Sequence, residues 1–403
     1  MTNILIQNCR IPKNGKLTET DILIKNGKIA KIAKSIKTSK QNKAKKIDAK
    51  NNIVLPGIID SHVHFRDPGL THKGNWLTES RAAAAGGITS VIDMPNTIPP
   101  TFTVKELNKK RKAAKKSIVN YGLYIGTNGK NSAEIKKAKN IAGLKVYMNE
   151  TTGNLKLDNG LKEVFNTLNK NKLVAVHAEG NSVKKAIKLS KKNRLYLCHI
   201  SKASELIIIK KAKKQKKHKN KIFVEVTPHH LFLTKSQQNK FNIMKPELRT
   251  KTDQNALWKA INSGLVDTIA TDHAPHTKAE KKKPGKTYGV PGVQTSLQLM
   301  LDAVNKKKLS LAKLQELMCE NPAKIFNIKN KGKIKKGYDA DLVIVDINKK
   351  NTITNSKILY KCKWTPYNGK KVKGAVITTL IKGNMVYNDN KIKKIKARQL
   401  KFG

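Results

Sequence analysis

The chain has 403 residues, 38% of them hydrophobic, and a formal net charge of +56 at pH 7. That length suits one large domain with a smaller companion, and no apolar run approaches the roughly 20 residues needed to cross a bilayer. The four cysteines (Cys9, Cys198, Cys319 and Cys362) have no paired spacing, which argues against a disulfide framework.

The positive excess is mostly lysine and is spread over the whole chain. Runs such as KKAKKQKKHKNK, from Lys210 to Lys221, hold no aromatic residue to stack on bases and no arginine to read base edges. They read as solvated surface, so neither nucleic acid nor membrane is an expected partner. A positive field of this kind can still steer a small anionic substrate. The N-terminal stretch lacks the basic head, apolar core and small-residue cleavage site of a secretory leader, so a cytoplasmic location is expected.

Taken in order, the chain opens with short strand-like pieces, NILIQNC and then DILIKNGKIAKIAK, in which Asn26-Gly27 signals a hairpin. Eight runs rich in Val, Ile, Leu or Tyr follow: IVLPGIIDSHVHF, GITSVIDM, VNYGLYIG, GLKVYMN, KLVAVHAE, RLYLCHI, KIFVEVTP and VDTIATDHAP. Helical patterns lie between most of them, at Leu77–Ala85, Val104–Lys116, Ala133–Ile141, Gly160–Asn169, Ser182–Lys191 and Ala203–Lys216. Strand and helix in alternation, with strands apolar on both faces, predict an α/β fold: a (β/α)8 TIM-type barrel over residues 53–332. Strand-like pieces return after about residue 333, in GYDADLVIVD and GAVITTLIKGNMVYNDNKI. Residues 1–52 and 333–403 are each too short of apolar pattern for a core of their own, and together predict one small β-sandwich domain.

In such a barrel the site lies at the C-terminal ends of the strands. Those ends carry His62 and His64 on the first strand, Lys145 on the fourth, His177 on the fifth, His199 on the sixth and Asp272 on the eighth. His62 and His64 flank Val63, so both side chains point to one side of the strand and can grip one cation. An isolated H-x-H pair is a weak metal signal; joined to two more strand-end histidines and an aspartate it is a strong one. Lys145 is either a snorkelling lysine or a neutral amine that has taken up CO2 and bridges two metals. Asp272 can accept a proton from metal-bound water and pass it on. Arg66 offers a planar fork for a carboxylate, and Asn96 in DMPNT can orient an amide or carboxylate.

These residues carry a resemblance. DSHVHFRDPG, AAAAGGITSVIDMPNTIPP, GLKVYMNET, VAVHAE, CHIS, EVTPHHLFLT, ATDHAPH and KKGYDADLVIVD make the chain similar, over nearly its full length, to the dihydroorotases of the amidohydrolase superfamily. GLKVYMNET and EVTPHHLFL resemble the dihydroorotase domain of the animal multifunctional pyrimidine enzyme and the lysine-type microbial enzymes. The resemblance implies reversible cyclisation of N-carbamoyl-L-aspartate to (S)-dihydroorotate in pyrimidine synthesis. It implies two Zn2+ ions per subunit: one on His62, His64, Asp272 and N6-carboxylated Lys145, the other on Lys145, His177 and His199. Asp272 would be the catalytic proton carrier. Cys198 and Glu225 match positions at which some relatives hold an optional third zinc. Arg66, Asn96 and His276 match residues that hold the substrate carboxylate, Thr151 a loop that closes over it, and Gly289 in YGVPG a backbone contact to the ring. Lys245 stands where the animal enzyme has arginine, which keeps the charge and loses the bidentate fork. A homodimer, and association with aspartate carbamoyltransferase, are compatible with the resemblance.

Overall fold

The computed structural model describes residues 3–13, 15–37, 44–153, 155–168, 172–218, 221–283 and 287–403. Its first strands are β1 (Asn3–Lys13), β2 (Lys16–Lys25), β3 (Lys28–Ala33), β4 (Ala44–Asp48) and β5 (Ile53–Pro56). The parallel strands follow: β6 (Ile58–Val63), β7 (Ile88–Asp93), β8 (Asn120–Leu123), β9 (Ile125–Gly126), β10 (Leu144–Tyr147), β11 (Leu173–His177), β12 (Arg194–Leu197), β13 (Ile222–Val226) and β14 (Thr268–Ile269). The chain ends in β15 (Leu342–Thr352), β16 (Lys371–Ile381), β17 (Asn384–Asn388) and β18 (Lys391–Ile392).

Strands β6 to β8 form one parallel sheet, and β9 to β14 another, each in chain order. All residues of β6, β7, β10 and β11 are buried, which is why these strands read as unbroken apolar runs rather than alternating ones. The expected third strand is broken at Tyr124, whose N–H turns to the Asp93 carbonyl, so β8 pairs with β7 and β9 with β10. The expected eighth strand shrinks to Thr268–Ile269, and an isolated parallel bridge joins Val63 to His273 beyond it. Asp272 therefore stands past the strand, in left-handed backbone at φ 46°.

Helices form where they are expected, at Trp76–Ala85, Val104–Ala114, Ser132–Lys137, Leu161–Thr167, Asn181–Leu189 and Ala203–Lys213. Asn169, at the end of one predicted helix, lies outside the described residues. Side chains cap the first two: Asn75 Oδ1 accepts from the Leu77 and Thr78 amides at 3.0 Å each, and Thr103 caps the next helix. No helix among the described residues is long and apolar enough to cross a membrane.

The terminal segments meet in one nine-stranded sheet with the order β18-β17-β16-β15-β5-β1-β2-β3, and β4 beside β1. The Asn26-Gly27 hairpin joins β2 to β3 with both residues at positive φ, 50° and 73°. One detail departs from the sequence reading. Ile53–Pro56, assigned there to the barrel, pairs with β1 and β15 and belongs to this terminal sheet. The sheet is also continuous in its hydrogen bonding, and Ile6, Ile22, Ile24, Val54, Leu342 and Leu380 gather in one core on it.

Candidate metal centre and substrate cleft

His62 is the penultimate residue of β6, and one residue separates it from His64. The two imidazoles converge on a single atom, with Asp272 Oδ1 at 3.3 Å from His62 Nε2 and 2.9 Å from His64 Nε2. Their other nitrogens face oxygens: His62 Nδ1 lies 2.7 Å from Glu225 Oε1, and His64 Nδ1 2.5 Å from Asn96 Oδ1. A neutral imidazole with its proton on Nδ1 donates there and leaves a lone pair on Nε2. Two such lone pairs beside a carboxylate oxygen repel unless a proton or a cation lies among them. The set is the arrangement a metal ligand sphere requires, with Glu225 and Asn96 as the outer partners that fix the rings.

The electrostatics agree. Burial opposes charge on His62, but Glu225 and Asp272 outweigh it and raise the group to about 10. A proton and a metal thus compete for the same lone pair. Burial drives His64 down to about 3, so that ring is neutral. Burial alone would raise Asp272, yet His62 and His64 hold it well below the usual carboxylate range.

The second cluster lies alongside, with the His62 and His199 rings 5.4 Å apart. His177 closes β11, and His199 sits past β12 in left-handed backbone at φ 38°. His177 Nδ1 and His199 Nε2 are 2.9 Å apart. Their outer nitrogens, His177 Nε2 and His199 Nδ1, are buried with no hydrogen-bond partner, and Glu179 Oε1 stands 3.5 Å from the first. Burial lowers both groups, so both rings are neutral and their facing nitrogens can bind a cation. Lys145 projects from β10 into the same space; its fully buried Nζ donates to Cys198 Sγ at 3.0 Å. His62, His64 and Asp272 form one group with ligand atoms within 4.8 Å, and His62, Cys198 and Glu225 form a second. The residues fit a metal, and Glu225 has further duties there: it accepts from the His199 amide at 2.9 Å and from the Tyr196 hydroxyl at 2.8 Å.

A narrow cleft opens beside Asp272, lined by His64, Arg66, Asn96, Thr151, Lys245 and Gly289 among others. Arg66 is 3% exposed and adopts left-handed backbone at φ 67°. Its Nε donates to the Pro275 carbonyl at 3.2 Å, and among the described residues no carboxylate forms an ion pair with it. Three residues of this centre (Arg66, His199 and Asp272) hold a backbone that side chains rarely adopt, as happens where a site over-determines its geometry. Gly289 has its own reason to be glycine: φ is 129°, and a Cβ would come 2.7 Å from that of Ala274. His276 is placed differently from expectation. It does not line the cleft but stands behind Arg66, with Nε2 3.1 Å from the guanidinium and 3.0 Å from the Tyr288 carbonyl, and Nδ1 3.3 Å from Lys73 Nζ.

Several residues that build the centre escaped the sequence reading. Asp60 accepts from the Thr271 amide at 3.0 Å and hydroxyl at 2.6 Å, which ties β6 to the segment carrying Asp272. Asp93 accepts from the Phe65 amide at 2.6 Å and pairs with the wholly buried Lys110 at 2.5 Å, which fixes the chain on either side of Asn96 and Arg66. Glu179 lies two residues beyond His177, a spacing visible in VHAE but without meaning until the fold puts Arg249 2.8 Å away.

Residues 53–386 match the amidohydrolase family. The chain is 37% identical to a dihydroorotase of Methanosphaera stadtmanae, over 99% of this chain and 100% of the relative. It is 38% identical to a dihydroorotase of Pyrococcus furiosus, over 92% and 89% respectively. It is also 35% identical to the multifunctional protein CAD of Squalus acanthias, over 84% of this chain and 15% of that one. Among solved structures, an L-hydantoinase (dihydropyrimidinase) from Arthrobacter aurescens superposes with a TM-score of 0.92 at 29% identity, covering 100% of both chains. By those matches the chain belongs to the amidohydrolase family and, within it, to the dihydroorotases.

Proposed function

We propose that the chain is a dihydroorotase, which closes N-carbamoyl-L-aspartate reversibly to (S)-dihydroorotate and water in pyrimidine (UMP) synthesis. Arg66 carries this reading: a buried guanidinium in the cleft, with no carboxylate paired to it among the described residues, beside a cluster of metal-ligand side chains. A buried cation without a partner is costly, and the substrate's carboxylate supplies that partner through the planar fork. An uncharged hydantoin offers no such group. That difference separates the reading from the hydantoinases, whose fold is so similar.

The donor set suits two zinc ions. His62, His64, Asp272 and carboxylated Lys145 would hold one, and Lys145, His177 and His199 the other; Cys198 and Glu225 are the donors for an optional third. Carboxylation would join CO2 to the free Lys145 amine and release one proton, leaving a carbamate whose oxygens are ligand atoms. Zinc held here supplies Lewis-acid polarisation of the amide carbonyl and a water acidic enough to react near neutral pH.

The side chains do the rest. In the hydrolytic direction Asp272 takes the proton of the attacking water and delivers it to the departing ring nitrogen; in closure it takes the proton from the carbamoyl nitrogen first. Arg66 and Asn96 hold the carboxylate, and His276 orients the Arg66 fork from behind. Thr151 closes over the substrate, and the Gly289 backbone contacts the ring.

The same reading takes β6 to β14 as one closed (β/α)8 barrel over residues 53–332. The covalent continuity of β8 and β9 through Tyr124 and the bridge from Val63 to His273 support closure. Residues 1–52 and 333–403 make the companion domain, a sandwich around its own core, with Ile53–Pro56 joined to it by pairing. A cytoplasmic homodimer, able to associate with aspartate carbamoyltransferase, belongs to this reading, and the match to a multifunctional protein supports the association. The test is to purify the protein with zinc, count the metal and assay carbamoyl-aspartate beside hydantoin. About two zinc ions per chain and zinc-dependent turnover of carbamoyl-aspartate are expected; turnover of hydantoin alone would overturn the reading.

A further inference from the structure

Tyr147 is the last residue of β10, two positions after Lys145, so the two side chains share a face of the strand. Lys145 Nζ lies 5.3 Å from the centroid of the Tyr147 ring, and the ring of His177 is 6.3 Å away. The phenol is thus set among the groups of the metal centre, beside Lys145 and His177. It is 3% exposed, and its oxygen is one of the buried polar atoms with no hydrogen-bond partner. The phenol oxygens of Tyr124 and Tyr196 differ: Tyr124 donates to the Ser61 carbonyl at 3.3 Å and Tyr196 to Glu225 at 2.8 Å. A buried hydroxyl without a partner destabilises the fold that holds it, and next to the ligand residues of the centre a bound substrate is the group that can supply the partner; Tyr360, Ser90 and Ser296 also bury an unpartnered hydroxyl but lie away from the cleft. Packing does not explain the Tyr147 hydroxyl, because phenylalanine would fill the same space without that cost.

We propose that Tyr147 is a substrate-binding residue whose phenol donates a hydrogen bond to an oxygen of the bound carboxylate substrate, on the side of the centre formed by Lys145 and His177. This rests on the dihydroorotase reading, and the test separates the two. The zinc-loaded wild-type protein is assayed first with carbamoyl-aspartate; if it is inactive, the dihydroorotase reading has failed and this proposal with it. If it is active, Tyr147→Phe should lower kcat/KM on the order of 10-fold or more, as loss of a hydrogen bond to a charged group does. The melting temperature of the ligand-free variant should equal or exceed that of the wild type, because no protein partner is lost. The rise in melting temperature produced by dihydroorotate should shrink in the variant. Kinetics within twofold of wild type would overturn the proposal, and so would a melting temperature lowered in step with activity, which would mean a structural role.

Discussion

The strand-end rim and the terminal sheet use the same chain in opposite ways. In the terminal sheet, apolar side chains such as Ile22, Ile24 and Leu342 fill one core, and the Asn26-Gly27 turn adopts the backbone its residues favour. In the rim, four imidazoles, two carboxylates, a lysine and an arginine are buried together, and Arg66, His199 and Asp272 hold unfavourable backbone. The sheet is built to be stable; the rim is stable only in the company of groups that complete it. Local rules that agree with each other mark scaffold, and their concentrated violation marks chemistry.

If that contrast holds, substitutions in the two regions should separate activity from stability. The largest effect belongs to Asp272. In Asp272→Ala, kcat should fall on the order of 1000-fold or more, with metal still bound on the remaining ligands, as read by steady-state assay and metal analysis. Activity near wild type would remove Asp272 from the proton path. Next comes Leu342→Ala, at a side chain with no exposure in the core of the terminal sheet. It should cost about 2–5 kcal/mol of unfolding free energy in denaturant titration and leave kcat/KM unchanged. A smaller effect follows from Glu225→Gln, which weakens the acceptor for His62 Nδ1 while keeping its shape. Metal affinity should drop about 10–100-fold in a chelator competition, with the fold intact. Unchanged affinity would make Glu225 a purely structural acceptor for Tyr196.

The sequence is legible where the physics is local or periodic. Parallel strands buried on both faces leave apolar runs, the H-x-H spacing is set by the alternation of one strand, and Asn-Gly has one favoured use. What it hides depends on register and distance. Nothing near Tyr124 announces a broken strand, and β14 is short because Asp60, on β6, holds Thr271 by two hydrogen bonds. Glu225 reads as a spare metal ligand because its partner His62 is 163 residues away. His276 is a plausible carboxylate contact in the sequence; only the fold shows Lys73 and the Tyr288 carbonyl occupying it from behind the cleft. Ile53–Pro56 runs straight into β6 along the chain, and its true neighbours β1 and β15 are set by pairing that no short window contains.

The smallest effect tests the scaffold side most sharply. Gly27 holds φ 73° in the turn between β2 and β3, and its carbonyl accepts from the Ala340 amide at 2.9 Å, which links the N-terminal hairpin to the segment leading into β15. Alanine at this backbone angle costs about 1–2 kcal/mol through its Cβ alone. Gly27→Ala should therefore lower stability by about that amount, seen as a shifted denaturation midpoint with an unchanged slope. The turn touches none of the residues of the metal centre, so KM, kcat and zinc content should stay at wild-type values. A change in any of them would mean that the terminal sheet transmits strain to the rim, and the division between scaffold and chemistry would have to be redrawn along β5, the strand that leads into β6 and so to His62.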